Sequence, residues 1–227
     1  MKKLLSVCFM FFVFISFSQK ESKENAFFTI RGNIGIPRII SSQMFRTSFA
    51  GFYESNLSFN IKILNNFYTG VGYQNTQFQN NKFLKYQYFN ASIPYNTRLM
   101  CHGVFFKLGY DKFFSEIGYA SFALNSGIML NNYFNVNADT SKSNKPFVVK
   151  DFSATYVQPE TSVNFIVDKH LSFSVMLSYT TMFYKFDPKA PRFAHFQEIK
   201  SSSNNYFMGW LNFGFGINIL IDKKQKE

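Results

Sequence analysis

Residues 206–221 leave this chain little choice of fold. Phe207, Leu211, Phe213, Phe215, Ile217, Ile219 and Ile221 share one face, broken only by Gly209. Tyr206, Met208, Trp210, Asn212, Gly214, Gly216, Asn218 and Leu220 share the other. A period of two is the mark of an extended strand, because helical spacing would scatter both sets around a cylinder. The apolar row asks for apolar surroundings, and the mixed row of small and polar residues suits a narrow interior.

The pattern recurs along the chain. Tyr53, Leu57, Phe59, Ile61 and Ile63 oppose an unbroken polar row of Glu54, Asn56, Ser58, Asn60 and Lys62. Phe28, Ile30, Ile34 and Ile36 oppose Thr29, Arg31 and Asn33, and Phe67, Val71 and Tyr73 oppose Gly70, Gly72 and Gln74. Hydrophobic residues make up 46% of the chain and aromatics 20%, with 32 Phe and 13 Tyr, yet after residue 18 they gather into no long apolar block. A helical membrane protein would gather them, whereas a transmembrane barrel must alternate them, one face to lipid and one to the lumen.

Connections of two lengths separate the strands. Asn65-Asn66 and Asp168-Lys169 read as short turns, Asn being tolerant of the positive φ that tight hairpins need. The third short turn is either Leu99 to Gly103 or Asp111-Lys112, and likeness to Asp168-Lys169 favours the latter, which leaves the fourth strand over-long and bent or bulged near Gly103. The connections over 37–51, 78–85, 125–150 and 187–205 are long and polar. Strands are expected near 27–36, 52–64, 67–77, 86–99, 113–124, 151–167, 170–186 and 206–221. The expected fold is all-β, an eight-stranded antiparallel up-and-down transmembrane β-barrel, with short turns on the periplasmic side.

Lys2 and Lys3 followed by the apolar run Leu4 to Phe17, with Ser16 and Ser18 before Gln19, match a signal peptide. The expected organisation is a signal peptide over 1–18, a short periplasmic segment over 19–26, the barrel over 27–221 and a periplasmic tail over 222–227. Removing residues 1–18 takes two lysines and no acids, so the net charge falls from +11 to +9. Export removes nucleic acid as the partner of that basic balance and leaves simple solvation of the loops, the favoured reading, or else anionic headgroups or an anionic protein surface. Cys8 falls in the leader and Cys101 is left alone, so no internal disulfide is expected. The dispersed His102, His170 and His195 give no metal-ligand spacing, and no metal or other cofactor is expected.

Ile93-Pro94 followed by a long strand, Phe114-Ser115-Glu116-Ile117-Gly118-Tyr119, a strand containing Pro159-Glu160, the glycine-rich final strand and the Ser18-Gln19 leader exit together resemble the small outer-membrane β-barrel proteins of Bacteroidota. The resemblance covers the whole mature chain. It implies an OmpA/OmpX-like eight-stranded scaffold with a lumen filled by side chains, without the periplasmic domain of the OmpA type.

Strand register predicts Arg31, Lys62 and Arg98 inward against Glu54, Glu116 and Glu160, a lumen network of paired charges, since unpaired charge buried in a narrow barrel is costly. Cys101 and His102, a nominal nucleophile and base, are adjacent in a strand and so point to opposite faces. Tyr133 and Phe134 in one long connection, and Arg192, Phe193 and Phe196 in another, are candidates for contact with a partner, or else extend the strands above the membrane and pack on one another. The expected function is non-catalytic: an outer-membrane structural or accessory subunit of a larger secretion, transport or assembly complex. Its expected partners are outer-membrane lipid, lipopolysaccharide and other outer-membrane proteins. A narrow channel and a lipid-active barrel enzyme are the alternatives.

Overall fold

The computed structural model describes residues 26–41, 43–64, 66–80, 84–88, 91–95, 97–135, 147–186 and 207–221, with backbone alone at 84–88, 91–95, 135 and 147–150. The expected signal peptide and C-terminal tail, and Arg192, Phe193, His195 and Phe196, lie outside them.

The period-two rows become β1 (Phe28–Ser41), β2 (Phe49–Leu64), β3 (Phe67–Asn80), β6 (Thr97–Ser115), β7 (Gly118–Asn135), β8 (Phe147–Asp168), β9 (Leu171–Met182) and β10 (Met208–Ile221). These eight close into an antiparallel barrel in the order β1-β10-β9-β8-β7-β6-β3-β2. Closure matters because backbone groups in hydrocarbon have no water to bond, so no sheet edge can face lipid. A six-residue helix, α1 (Gln43–Ser48), joins β1 to β2, and β4 (Leu84–Tyr88) pairs with β5 (Ala91–Tyr95) in a separate hairpin between β3 and β6.

Pairing of Phe28 with Ile221 brings the described ends of the barrel together at the end that carries the short turns. The turn at 65–66 is closed by Leu64 opposite Phe67, and that at Lys169-His170 by Asp168 opposite Leu171. In outer-membrane barrels the short turns face the periplasm.

The third short turn differs from expectation. β6 runs straight through Arg98 to Lys112 and reverses at Glu116-Ile117, where Phe113 pairs with Tyr119 and Ser115 with Gly118. Asp111-Lys112 stays in the strand because the Asp111 carboxylate has a partner in the lumen, the Arg31 guanidinium at 2.6 Å. The fourth barrel strand is therefore 97–115 instead of 86–99, while the count of eight stands. β7 likewise continues through the stretch expected to begin a long loop.

The faces of the barrel are inverted relative to a water-soluble protein. On β6, Val104, Phe106 and Leu108 are exposed, while Cys101, Phe105 and Lys107 are buried inside. The outward row from Val104 to Phe114 covers roughly 33 Å of strand at about 3.3 Å per residue. At a strand tilt of about 40°, that is a band of roughly 25 Å, the height of an outer-membrane hydrocarbon layer.

Candidate functional site

Inside the barrel, charge is concentrated near the short-turn end. Arg31 on β1 is buried and donates from Nη1 to Tyr68 Oη (2.9 Å) and Ser121 Oγ (2.7 Å), and from Nη2 to Asp111 Oδ2 (2.6 Å). The guanidinium also lies 4.3 Å from the centroid of the Tyr68 ring, a cation–π contact. Gly109 makes room for that ring, since a Cβ there would run into it. Below this cluster a cavity of about 30 Å³ is lined by Thr29, Lys62, Tyr68, Asp111, Phe113 and Tyr119 among others.

One level higher, Lys107 Nζ donates to both oxygens of Glu160 at 2.9 and 3.0 Å, and both side chains are buried. Asn125 bridges onward, donating to Glu160 Oε2 (3.1 Å) and Gln158 Oε1 (2.9 Å). Gln158 donates in turn to Glu54 Oε1 at 2.9 Å.

Glu54, fully buried, is held by donors instead of a cation. Besides Gln158, it accepts from Asn212 (3.0 Å) and Asn56 (3.3 Å) at Oε1, and from Trp210 Nε1 (2.6 Å) and Thr76 (3.2 Å) at Oε2. Trp210 has only a donor to offer, so Glu54 Oε2 is the acceptor of that short bond. Thr180 on β9 joins through Gln158 at 2.8 Å. Residues of β2, β3, β6, β7, β8, β9 and β10 thus meet in one hydrogen-bonded layer across the lumen.

Above Glu54 the interior turns apolar. Phe45 of α1 folds into the mouth and packs on Phe78 (5.1 Å between centroids), Phe186 (5.5 Å) and Phe49 (5.7 Å). Leu99, Met129, Tyr133, Tyr156, Met182, Met208 and Trp210 complete this buried plug.

The expected inward residues fare differently. Arg31, Glu54 and Glu160 face the lumen, and Lys62 lines the cavity at its short-turn mouth. Glu116 is instead an exposed turn residue, because the reversal falls on it. Arg98 is a correction of phase: Thr97 and Leu99 are the buried residues there, so Arg98 shares the outward face of β6 with Val104. Tyr133 is also corrected, from a surface loop to the buried plug, while Phe134 is half-buried on the opposite face of β7. The two charged lumen residues not foreseen, Lys107 and Asp111, both lie in the stretch expected to distort and turn. Their signal was Val104, Phe106 and Leu108 alternating with Phe105, Lys107 and Gly109.

Cys101 is buried inside, and His102 outside bonds Tyr73 Oη through Nδ1 at 2.6 Å. His170, in the last short turn, bonds the Leu220 carbonyl at 3.2 Å. Among the described residues no cluster of His, Cys, Asp and Glu has the makings of a metal site.

A closed barrel with a polar, bonded interior and an apolar outer band of this height has one stable home. The chain is an outer-membrane β-barrel protein. No family model matches it, and no curated protein matches it. Among solved structures it is similar to Neisserial surface protein A, at 15% identity over 87% of this chain and 100% of that one, TM-score 0.49. It is also similar to Ail of Yersinia pestis, solved in complex with the heparin analogue sucrose octasulfate, at 11% identity over 84% of this chain and 97% of that one, TM-score 0.44. The outer membrane protease OmpT of Escherichia coli matches at 10% identity over 88% of this chain and 100% of that one, TM-score 0.42. These are likenesses of fold, and they assign no residue a role.

Proposed function

We propose that this protein is a non-catalytic, non-conducting barrel that acts through its outer end, as a structural or accessory subunit of a larger outer-membrane assembly. The observation that carries this reading is the doubly filled lumen: the layer centred on Glu54 crosses the barrel, and the Phe45 plug lies above it. A solute path would have to break both. With the interior committed to side-chain bonds, the surface left for recognition is the part of the strands that rises above the apolar band. There Arg98 carries a cation on the outer face of the wall, at a level suited to the phosphates of lipopolysaccharide or an anionic protein surface.

Two measurements test the proposal. Purification of the full chain from native outer membranes in mild detergent is expected to bring down stoichiometric outer-membrane partners, and a lone monomer overturns the subunit reading. In planar bilayers the purified barrel is expected to give no steady conductance above the bare membrane, and discrete conducting steps would favour the channel alternative.

A further inference from the structure

One wall strand carries a proline where a closed sheet has little room for one. Pro159 lies within β8, opposite Leu124 of β7 on one side, and Leu124 and Leu177 nearby are exposed in the outer apolar band. On the other side, the register with β9 sets Tyr156 opposite Met182 and Val157 opposite Thr181, skips Gln158 and Pro159, and resumes unshifted with Glu160 opposite Ser178. No bulge is inserted there, so the break is chemical. The bond from Phe183 N to the Thr155 carbonyl sets the phase: alternate residues of β8 from Thr155 onward turn their backbone groups to β9. Pro159, which the register sets opposite Tyr179, has no N–H to give the Tyr179 carbonyl. Losing a ladder donor at the level of lipid is costly, and proline in sheets is otherwise confined to edges, strand starts and bulges. Pro37 of β1 causes no such break, because its register with β10 runs on through Asn212 and the ladder with β2 has already ended at Gly35.

On the inner face, side chains supply what the backbone lacks. Gln158 and Thr180 face each other across the gap, both fully buried. Gln158 Nε2 donates to Thr180 Oγ1 at 2.8 Å and to Ser178 Oγ at 3.3 Å, both on β9. The same nitrogen donates to Glu54 Oε1 of β2 at 2.9 Å, and Gln158 Oε1 accepts from Asn125 of β7 at 2.9 Å. An amide nitrogen has two hydrogens for these three acceptors, so what Glu54 takes from Gln158 is shared with β9. Wall and lumen layer are joined through one side chain.

We propose that the β8–β9 seam at Pro159 is a conformational latch. The missing backbone bond makes this the seam at which the wall parts most readily, and Gln158, held in place by Glu54 and Asn125, keeps it shut from inside. A change in the layer that draws Gln158 away from Thr180 loosens the wall, and parting of the wall in turn frees Gln158 from β9, since such coupling is reciprocal. The parting is sideways, and the Phe45 plug stays in place above it. The inference goes beyond the subunit reading and does not depend on it.

The test is amide hydrogen exchange of the full chain in lipid nanodiscs. Val157, Thr161, Tyr179 and Thr181 direct their N–H groups across the seam, whereas Gln158 and Glu160 direct theirs to β7, and Ser178 and Thr180 theirs to β10. The two sets alternate at one depth, so lipid shields them alike. In wild type the seam amides are expected to exchange faster than their neighbours. Gln158→Ala is expected to speed the seam set by about tenfold or more and to leave the other set unchanged. Pro159→Ala returns an N–H to the ladder, so it is expected to slow the seam set on its own and to reverse the effect of Gln158→Ala in the double variant. Equal acceleration of both sets by Gln158→Ala would make Gln158 a general support of the barrel and overturns the latch. So do seam amides as slow as their neighbours in wild type, and so does a double variant no slower than Gln158→Ala. Should Gln158→Ala fail to fold, Pro159→Ala alone decides: slowing confined to the seam supports the latch, and unchanged exchange overturns it.

Discussion

Lys107 illustrates how a single residue in the lumen ties local chemistry to the stability of the whole. Its ammonium and the Glu160 carboxylate are both out of water, so neither can be removed alone without stranding the other. Lys107→Met is expected to destabilise the barrel by about 3–5 kcal/mol, the usual cost of breaking a buried pair from one side. Lys107→Met combined with Glu160→Leu is expected to regain much of that loss, because two apolar side chains of similar volume need no partner. Urea unfolding in lipid vesicles, followed by the fluorescence of Trp210, the sole tryptophan, measures both. The pair adds nothing if the single and double variants unfold together.

At the scale of strands, the phase of β6 decides which side chains meet lipid. Leu108 sits near the middle of the outward band, so Leu108→Arg is expected to cost about 2–4 kcal/mol, the range for a cation at the bilayer midplane. Arg98→Leu, well above the band on the same face, is expected to change stability little. Equal effects would mean that the strand sits at another depth. This strand is also where sequence and structure part. Barrel class, strand count and the hairpin over 65–66 follow from alternation alone, because lipid and lumen impose opposite demands on successive residues. The turn between β6 and β7 does not, since Asp111-Lys112 looks like a reversal to local chemistry and only Arg31, some eighty positions earlier, keeps Asp111 in the strand. With the phase misplaced, Arg98 moves inward, Lys107 disappears into a supposed distortion and Glu116 becomes a lumen acid. The inward path of α1 is equally hidden, because Met44 and Phe45 reach the core through a helix too short to show a period.

For the molecule as a whole, the two fillings of the lumen act in series, and their chemistry differs enough to be separated. The outer filling is apolar, anchored by Phe45, and depends on α1 staying folded into the mouth. The inner one is a hydrogen-bonded layer whose donors and acceptors come from wall strands held by the barrel's own backbone ladder. Phe45→Ala removes the ring that Phe49, Phe78 and Phe186 pack against and is expected to cost about 3–5 kcal/mol of local packing. That loss should show as faster exchange of the α1 amides. It should leave planar bilayers silent, because Glu54 still holds Gln158, Asn212 and Trp210 across the barrel. Glu54→Ala alone is expected to loosen the layer and remain silent beneath an intact plug. Only the double variant is expected to conduct. Steady conductance from Phe45→Ala alone would show that the polar layer is no barrier, and with it would fall the claim that a filled lumen leaves the outer surface as the working part of this protein.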